Sequence, residues 1–150
     1  MQSIPLITQV QRILNSFRHW TERELLPARK TPEEDAKSLF EARFVLVSHG
    51  TEPDPILNYG NRAALNLWEM TWDEWIKTPS RLTAEPISRD ERSRILALVT
   101  QKGFMGDYKG VRISKTGRRF QIEKAIVWNL MDEGGLFAGQ AASFDRWVFL

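Results

Sequence analysis

Apolar residues open the chain with the period of a helix. Leu6, Ile7, Val10, Ile13, Leu14, Phe17 and Trp20 fall within an arc of roughly 140° at 3.6 residues per turn. Gln11, Arg12, Asn15, Arg18 and His19 lie outside it. The spacing predicts an amphipathic helix over residues 3–22, ended near Leu25-Leu26-Pro27 because proline has no amide proton to continue the ladder. So wide a stripe must be covered. Val10, Leu14 and Phe17 are therefore expected to be buried, with the helix contributing to a symmetric homodimer.

Three helix starts follow. Thr31-Pro32-Glu33-Glu34 and Thr71-Trp72-Asp73-Glu74 read as capping boxes, and so does Ser88-Arg89-Asp90-Glu91, which opens a longer helix stopped by Gly103. The apolar face of that long helix is read as Ile95, Leu96, Leu98 and Val99. Asn61 is placed to cap a further helix carrying Ala64, Leu65 and Trp68. Between these lie Phe44-Val45-Leu46-Val47, a β-branched and aromatic run, and Ile56 to Tyr59 beyond a Pro53-Asp54-Pro55 turn; both read as short strands.

After Gly103 the period becomes alternating. Val111 and Ile113 alternate with Gly110 and Arg112. A turn at Lys115-Thr116-Gly117 leads to a long strand with Phe120, Ile122, Ile126, Trp128 and Leu130 assigned to one face. Asp132-Glu133-Gly134-Gly135 turns the chain into a last strand from Leu136 to Phe149. The order is two helices, two strands, three helical segments and three strands. It predicts an α+β fold with one antiparallel sheet, short helices on one face and the N-terminal helix on the other. One domain is expected over residues 1–150, with a helical extension at 3–42 and a core at 43–149.

Composition narrows the function. With 42% apolar residues, six Trp and eight Phe in 150 residues, the chain has material for a folded core. Twenty-one basic residues stand against 19 acidic ones, a balance unlike that of a phosphate-gripping surface. Arg112, Lys115, Arg118, Arg119 and Lys124 make the late hairpin basic, but Asp107 and Glu123 interrupt it, so it reads as a solvated hairpin and no nucleic-acid partner is expected. The absence of cysteine excludes disulfides, thiolate nucleophiles and Cys-based zinc sites. No stretch approaches a membrane span or a signal peptide, which fits a cytoplasmic protein.

His49, with Ser48 beside it and Glu52 and Asp54 close behind, is the one place where a triad or metal site can be drawn. The plainer reading is a loop histidine, and no metal is expected. His49 and Asp54 as acid and base define the alternative function, a small α+β enzyme. Trp68, Trp75 and Trp128 are candidates to line an apolar pocket. Asn129 and Gln140, on neighbouring late strands, are candidates to orient a ligand if they face the helices.

Ile56-Leu57-Asn58-Tyr59-Gly60-Asn61-Arg62-Ala63-Ala64, Trp72-Asp73-Glu74-Trp75-Ile76, the two late turns and Asp145 together resemble a PAS domain. Ile13 to Trp20 with Glu24-Leu25-Leu26, Gly103-Phe104 through Ser114, Gly117 to Trp128, and Ser143-Phe144-Asp145-Arg146-Trp147 resemble the MEKHLA domain, a PAS-like group. The resemblance implies a five-stranded antiparallel sheet in the order 2-1-5-4-3 and a stand-alone sensory or regulatory domain. Such a domain binds a small ligand or a protein partner and signals through association, so it is not expected to be an enzyme. Flavin-adduct and covalent-chromophore relatives need a cysteine, and haem-binding ones place a histidine on the long helix. Residues 88–102 contain none, so neither cofactor is expected and the purified protein should be colourless.

Overall fold

A computed structural model describes residues 4–150. Helix α1 (Ile4–Thr21) and helix α2 (Pro32–Phe40) precede strands β1 (Val45–His49) and β2 (Leu57–Gly60). Helices α3 (Arg62–Trp68) and α4 (Trp72–Trp75), a 3-10 turn at Ser80–Thr83 and helix α5 (Pro86–Lys102) then cross the sheet. Strands β3 (Phe104–Ile113), β4 (Arg119–Met131), β5 (Phe137–Phe144) and β6 (Arg146–Phe149) complete it. The sheet is antiparallel in the order β2-β1-β5-β4-β3. The last strand is broken at Asp145: β5 pairs with the second half of β4 and β6 with its first half.

Local chemistry accounts for the helix starts. The Thr31 and Thr71 capping boxes both close, with each threonine hydroxyl accepting from the amide three residues on and each glutamate reaching back. The Asn61 side chain accepts from the Ala64 amide and donates to the carbonyls of Leu39 and Phe44, so one buried amide caps α3 and ties α2 to β1. Helix α5 begins earlier than its Ser88 box predicts. Pro86 supplies a first-turn residue with a preset φ, Glu85 takes the cap position, and Ser88 falls inside the helix.

Two cores sandwich the sheet. On the inner face α3 and α5 cover Val45, Leu57, Phe120, Ile122, Val127 and Phe144. On the outer face α1 and α2 cover Leu46, Trp128 and Leu130 with Val10, Ile13, Leu14 and Phe17. The expected single face for Phe120 through Leu130 is corrected. Lys124 has φ 52° within a bulge where three steps of β4 match two of β3 between Tyr108 and Gly110. The extra residue reverses the alternation, so Phe120 and Ile122 point inward while Ile126, Trp128 and Leu130 point outward. A complementary bulge at Asp107, φ 56°, restores the register from the β3 side.

Val10, Leu14 and Phe17 are buried, and they are buried against this chain's own sheet. Phe17 meets the Trp128 ring edge-on at 5.0 Å, and Trp20 Nε1 donates to the Asn129 carbonyl at 2.9 Å. A second copy would have to meet other side chains of this helix.

Candidate functional site

A cavity of about 60 Å³ lies between the inner sheet face, the 3-10 turn and α5. Its walls are mostly apolar, from Val47, Leu57, Trp68, Ile95, Ile122 and Val127. Polar residues also border it: Ser48 and His49 from β1, Thr83 from the 3-10 turn, Arg92 from α5, Tyr108 and Arg112 from β3, and Gln140 from β5.

Gln140 is 4% exposed and directs its amide toward α5, donating to the Leu96 carbonyl at 3.0 Å and the Thr100 hydroxyl at 3.1 Å. It donates as well to Asn129 Oδ1 at 3.1 Å, while Asn129 Nδ2 donates to the Val99 carbonyl at 3.0 Å. The paired residues Asn129 and Gln140 therefore clamp the last turns of α5, whose terminal carbonyls lack helical partners. Gln140 borders the cavity, whereas Asn129 stands behind it.

Trp68 lines the cavity and Trp75 packs behind it at 5.6 Å between ring centroids. Trp128 lies on the opposite sheet face, placed there by the Lys124 bulge. Of the pocket candidates, Trp68 and Gln140 reach the cavity, and Trp75, Trp128 and Asn129 do not line it.

Arg112 corrects the picture of a solvated hairpin cation, for it is 7% exposed and turned inward. Its Nη2 donates to the Tyr108 hydroxyl at 3.1 Å and its Nη1 to the Val111 carbonyl at 2.8 Å; the Tyr108 hydroxyl in turn donates to Glu91 at 3.0 Å. Gly110 makes this possible. A Cβ there would stand 2.4 Å from the Tyr108 hydroxyl and 3.0 Å from Arg112 Nη1. The triplet Tyr-x-Gly-x-Arg on one strand face is the available sequence signal, masked by the apolar Val111 and Ile113 that alternate with Gly110 and Arg112.

Arg92 was not singled out by its sequence, since a helical arginine is ordinarily solvated. It is half-buried, and its Nη2 donates to the hydroxyl of Ser80, itself 1% exposed, at 3.0 Å. Burial first, and then the charges of Arg112 and Arg89, push its pKa down to about 10. Among the described residues, neither Arg92 nor Arg112 forms an ion pair with a carboxylate.

His49 is 8% exposed. Its Nδ1 lies 3.0 Å from the Gly50 carbonyl, which can only accept, so Nδ1 carries the proton and Nε2 holds a lone pair. Among the described residues, that Nε2 has no hydrogen-bond partner. Burial lowers the His49 pKa, and the charge of Arg92 adds to the effect. Asp54, its supposed catalytic companion, is exposed and bonds Arg81 at 3.3 Å. His49 and Asp54 are thus not joined, and the described residues hold no His, Cys, Asp or Glu cluster suited to a metal.

The strand order, the crossing helices and the cavity beneath α5 define a PAS-type α+β domain. The model of the MEKHLA domain matches residues 7–149, and the chain belongs to that family. It is 24% identical over 154 residues to the homeobox-leucine zipper protein REVOLUTA of Arabidopsis thaliana, a match covering 96% of this chain and 18% of that protein. The chain therefore corresponds to under a fifth of that relative's length.

Among solved structures, the PAS domain of a protein from Colwellia psychrerythraea superposes with a TM-score of 0.64 at 16% identity, covering 76% of this chain and 95% of that one. A light-oxygen-voltage domain studied with a flavin analogue gives 0.60 at 16% identity, over 77% and 83% of the two chains. An RNA-binding light-oxygen-voltage receptor gives 0.64 at 18% identity, over 80% and 33%. At these identities the likeness is one of fold. A flavin does not fit the residues present here. The cavity of about 60 Å³ is far below the roughly 300–1,000 Å³ of pockets for drug-sized ligands.

Proposed function

We propose that this protein is a PAS-like sensory or regulatory domain that binds a small molecule in the cavity under α5 and passes the binding state to a protein partner or a second copy. The observation that carries this reading is the double role of Gln140. The same side chain borders the cavity and holds α5 to the sheet, so an occupant that touches Gln140 acts on the attachment of a surface helix. Apolar walls with a few convergent polar groups are the composition of ligand sites. The role is binding and not catalysis: His49 is a buried, neutral acceptor, and Asp54 is tied to Arg81.

Native mass spectrometry of freshly purified protein tests this reading. The expected result is a small-molecule mass increment released on denaturation and absent from Ala142→Phe, which fills the cavity from β5. A protein that carries no such increment, and whose spectrum Ala142→Phe leaves unchanged, contradicts it. The same spectra report whether a second copy is present.

A further inference from the structure

The cavity holds more positive charge than the protein neutralises. Arg92 and Arg112 both reach it, from opposite walls on α5 and β3, and among the described residues neither is ion-paired. Glu91, the nearest carboxylate in the hydrogen-bond network, meets Arg112 only through the Tyr108 hydroxyl. Arg112 spends two bonds on Tyr108 and Val111, and Arg92 spends one on Ser80, out of five donors on each guanidinium. Bringing a cation out of water without a counter-charge is costly, and two facing one cavity repel as well. The depressed pKa of Arg92 reflects both effects. An occupant that supplies the missing negative charge reverses the cost.

The rest of the cavity restricts what the anion is. Val47, Leu57, Ile95 and Val127 give an apolar surround that an inorganic anion would leave uncovered. A volume of about 60 Å³ has room for roughly four to six water-sized groups. His49 Nε2, buried with a free lone pair, adds an acceptor on the β1 wall. We propose that the cavity binds a short-chain organic carboxylate, its carboxylate held by Arg92 and Arg112, its alkyl part against the apolar walls and a hydroxyl, where present, donated to His49 Nε2. This inference rests on the ligand-binding reading above and adds the chemical class of the ligand.

Thermal denaturation of the full chain with butanoate, hydroxylated butanoates, butanamide and sodium phosphate, at matched ionic strength, tests it. At about 100-fold over Kd, a ligand specific for the folded state should raise Tm by about 5–10 °C in a domain of this size. Butanoate is expected to do so, and butanamide and phosphate are not. The best hydroxylated butanoate should bind about two- to ten-fold more tightly than butanoate. In Arg92→Met the carboxylate response should be lost while the ligand-free Tm stays the same or rises, because an uncompensated charge has been removed. Equal shifts with butanamide overturn the role of charge, and equal shifts with phosphate overturn the organic class. Both outcomes leave a ligand-binding cavity standing. No shift with any carboxylate overturns this inference, while the retained-ligand measurement still decides the broader reading. The comparison of butanoate with butanamide uses the unaltered protein, so it stands even if Arg92→Met fails to fold.

Discussion

Gly139, the third residue of β5, has φ 119° beside the end of β1, and a Cβ there would lie 2.1 Å from the His49 carbonyl oxygen. Neither a side chain nor its usual backbone is tolerated at that point. Gly139→Ala is therefore expected to cost on the order of 2–4 kcal/mol in chemical denaturation, a larger loss than a surface Gly→Ala change. Its neighbour across the ladder makes a separate prediction. Burial lowers the pKa of His49 below the ordinary 6.5, so the unfolded chain binds more protons than the native one below that pH. The stability contributed by the neutral imidazole is thus complete above about pH 6.5 and is lost as the pH falls through it. Comparing urea midpoints at about pH 7.5 and about pH 5.5 should show a drop that His49→Gln reduces. An identical drop in both proteins would mean that His49 is not the responsible group. The sequence reads this residue as a loop histidine, yet the β1 ladder extends to pair it with Gln140 and Leu57.

Among the elements, the strongest local signals lie at the helix starts. Two capping boxes and the Asn61 cap need only four neighbouring residues, and those interactions form as written. The Ser88 box competed with Pro86 and lost, since a proline at the first helical position presets the backbone two residues earlier. The bulges at Asp107 and Lys124 left no periodic trace, because a single residue with positive φ looks like any other polar position. Missing them put Trp128 on the wrong sheet face. The same bulge makes Trp128 the partner of Phe17, so α1 is part of the fold. Phe17→Asp would bury a carboxylate among Trp128, Leu14 and Leu130 and should cost about 3–5 kcal/mol, with the helical and sheet signals in circular dichroism melting together. Phe17→Leu should cost on the order of 1 kcal/mol and keep the same folded spectrum. A Phe17→Asp protein with an intact, equally stable sheet would make α1 a separable accessory.

Across the whole molecule, the strand order and the two-sided covering of the sheet followed from the hairpins and the PAS-like pattern. The contents of the cavity did not, because Arg92, Arg112 and His49 come together only when α5, β3 and β1 are assembled. The two layers are unequally anchored. Helix α1 buries Val10, Ile13, Leu14 and Phe17, while α5, one residue shorter, buries only Val99 fully and leaves Ile87 86% and Leu98 39% exposed. What holds the end of α5 is the Asn129–Gln140 clamp, together with the partly buried Ile95 and Leu96. Elements with few buried apolar contacts open at lower free energy than the core. Amides of residues 95–102 should therefore exchange with deuterium well before those of residues 10–17. Asn129→Ala removes two donations to the Val99 and Thr100 carbonyls and one acceptor for Gln140, which should speed α5 exchange about ten-fold or more while leaving α1 unchanged. Butanoate should slow α5 exchange in the unaltered protein, since Arg92 lies on α5 and Gln140, which borders the same cavity, bonds that helix at Leu96 and Thr100. Protection of α5 equal to that of α1, or loosening of both helices together in Asn129→Ala, would mean that the domain opens only as a unit. In that case α5 could not report the state of the cavity on its own.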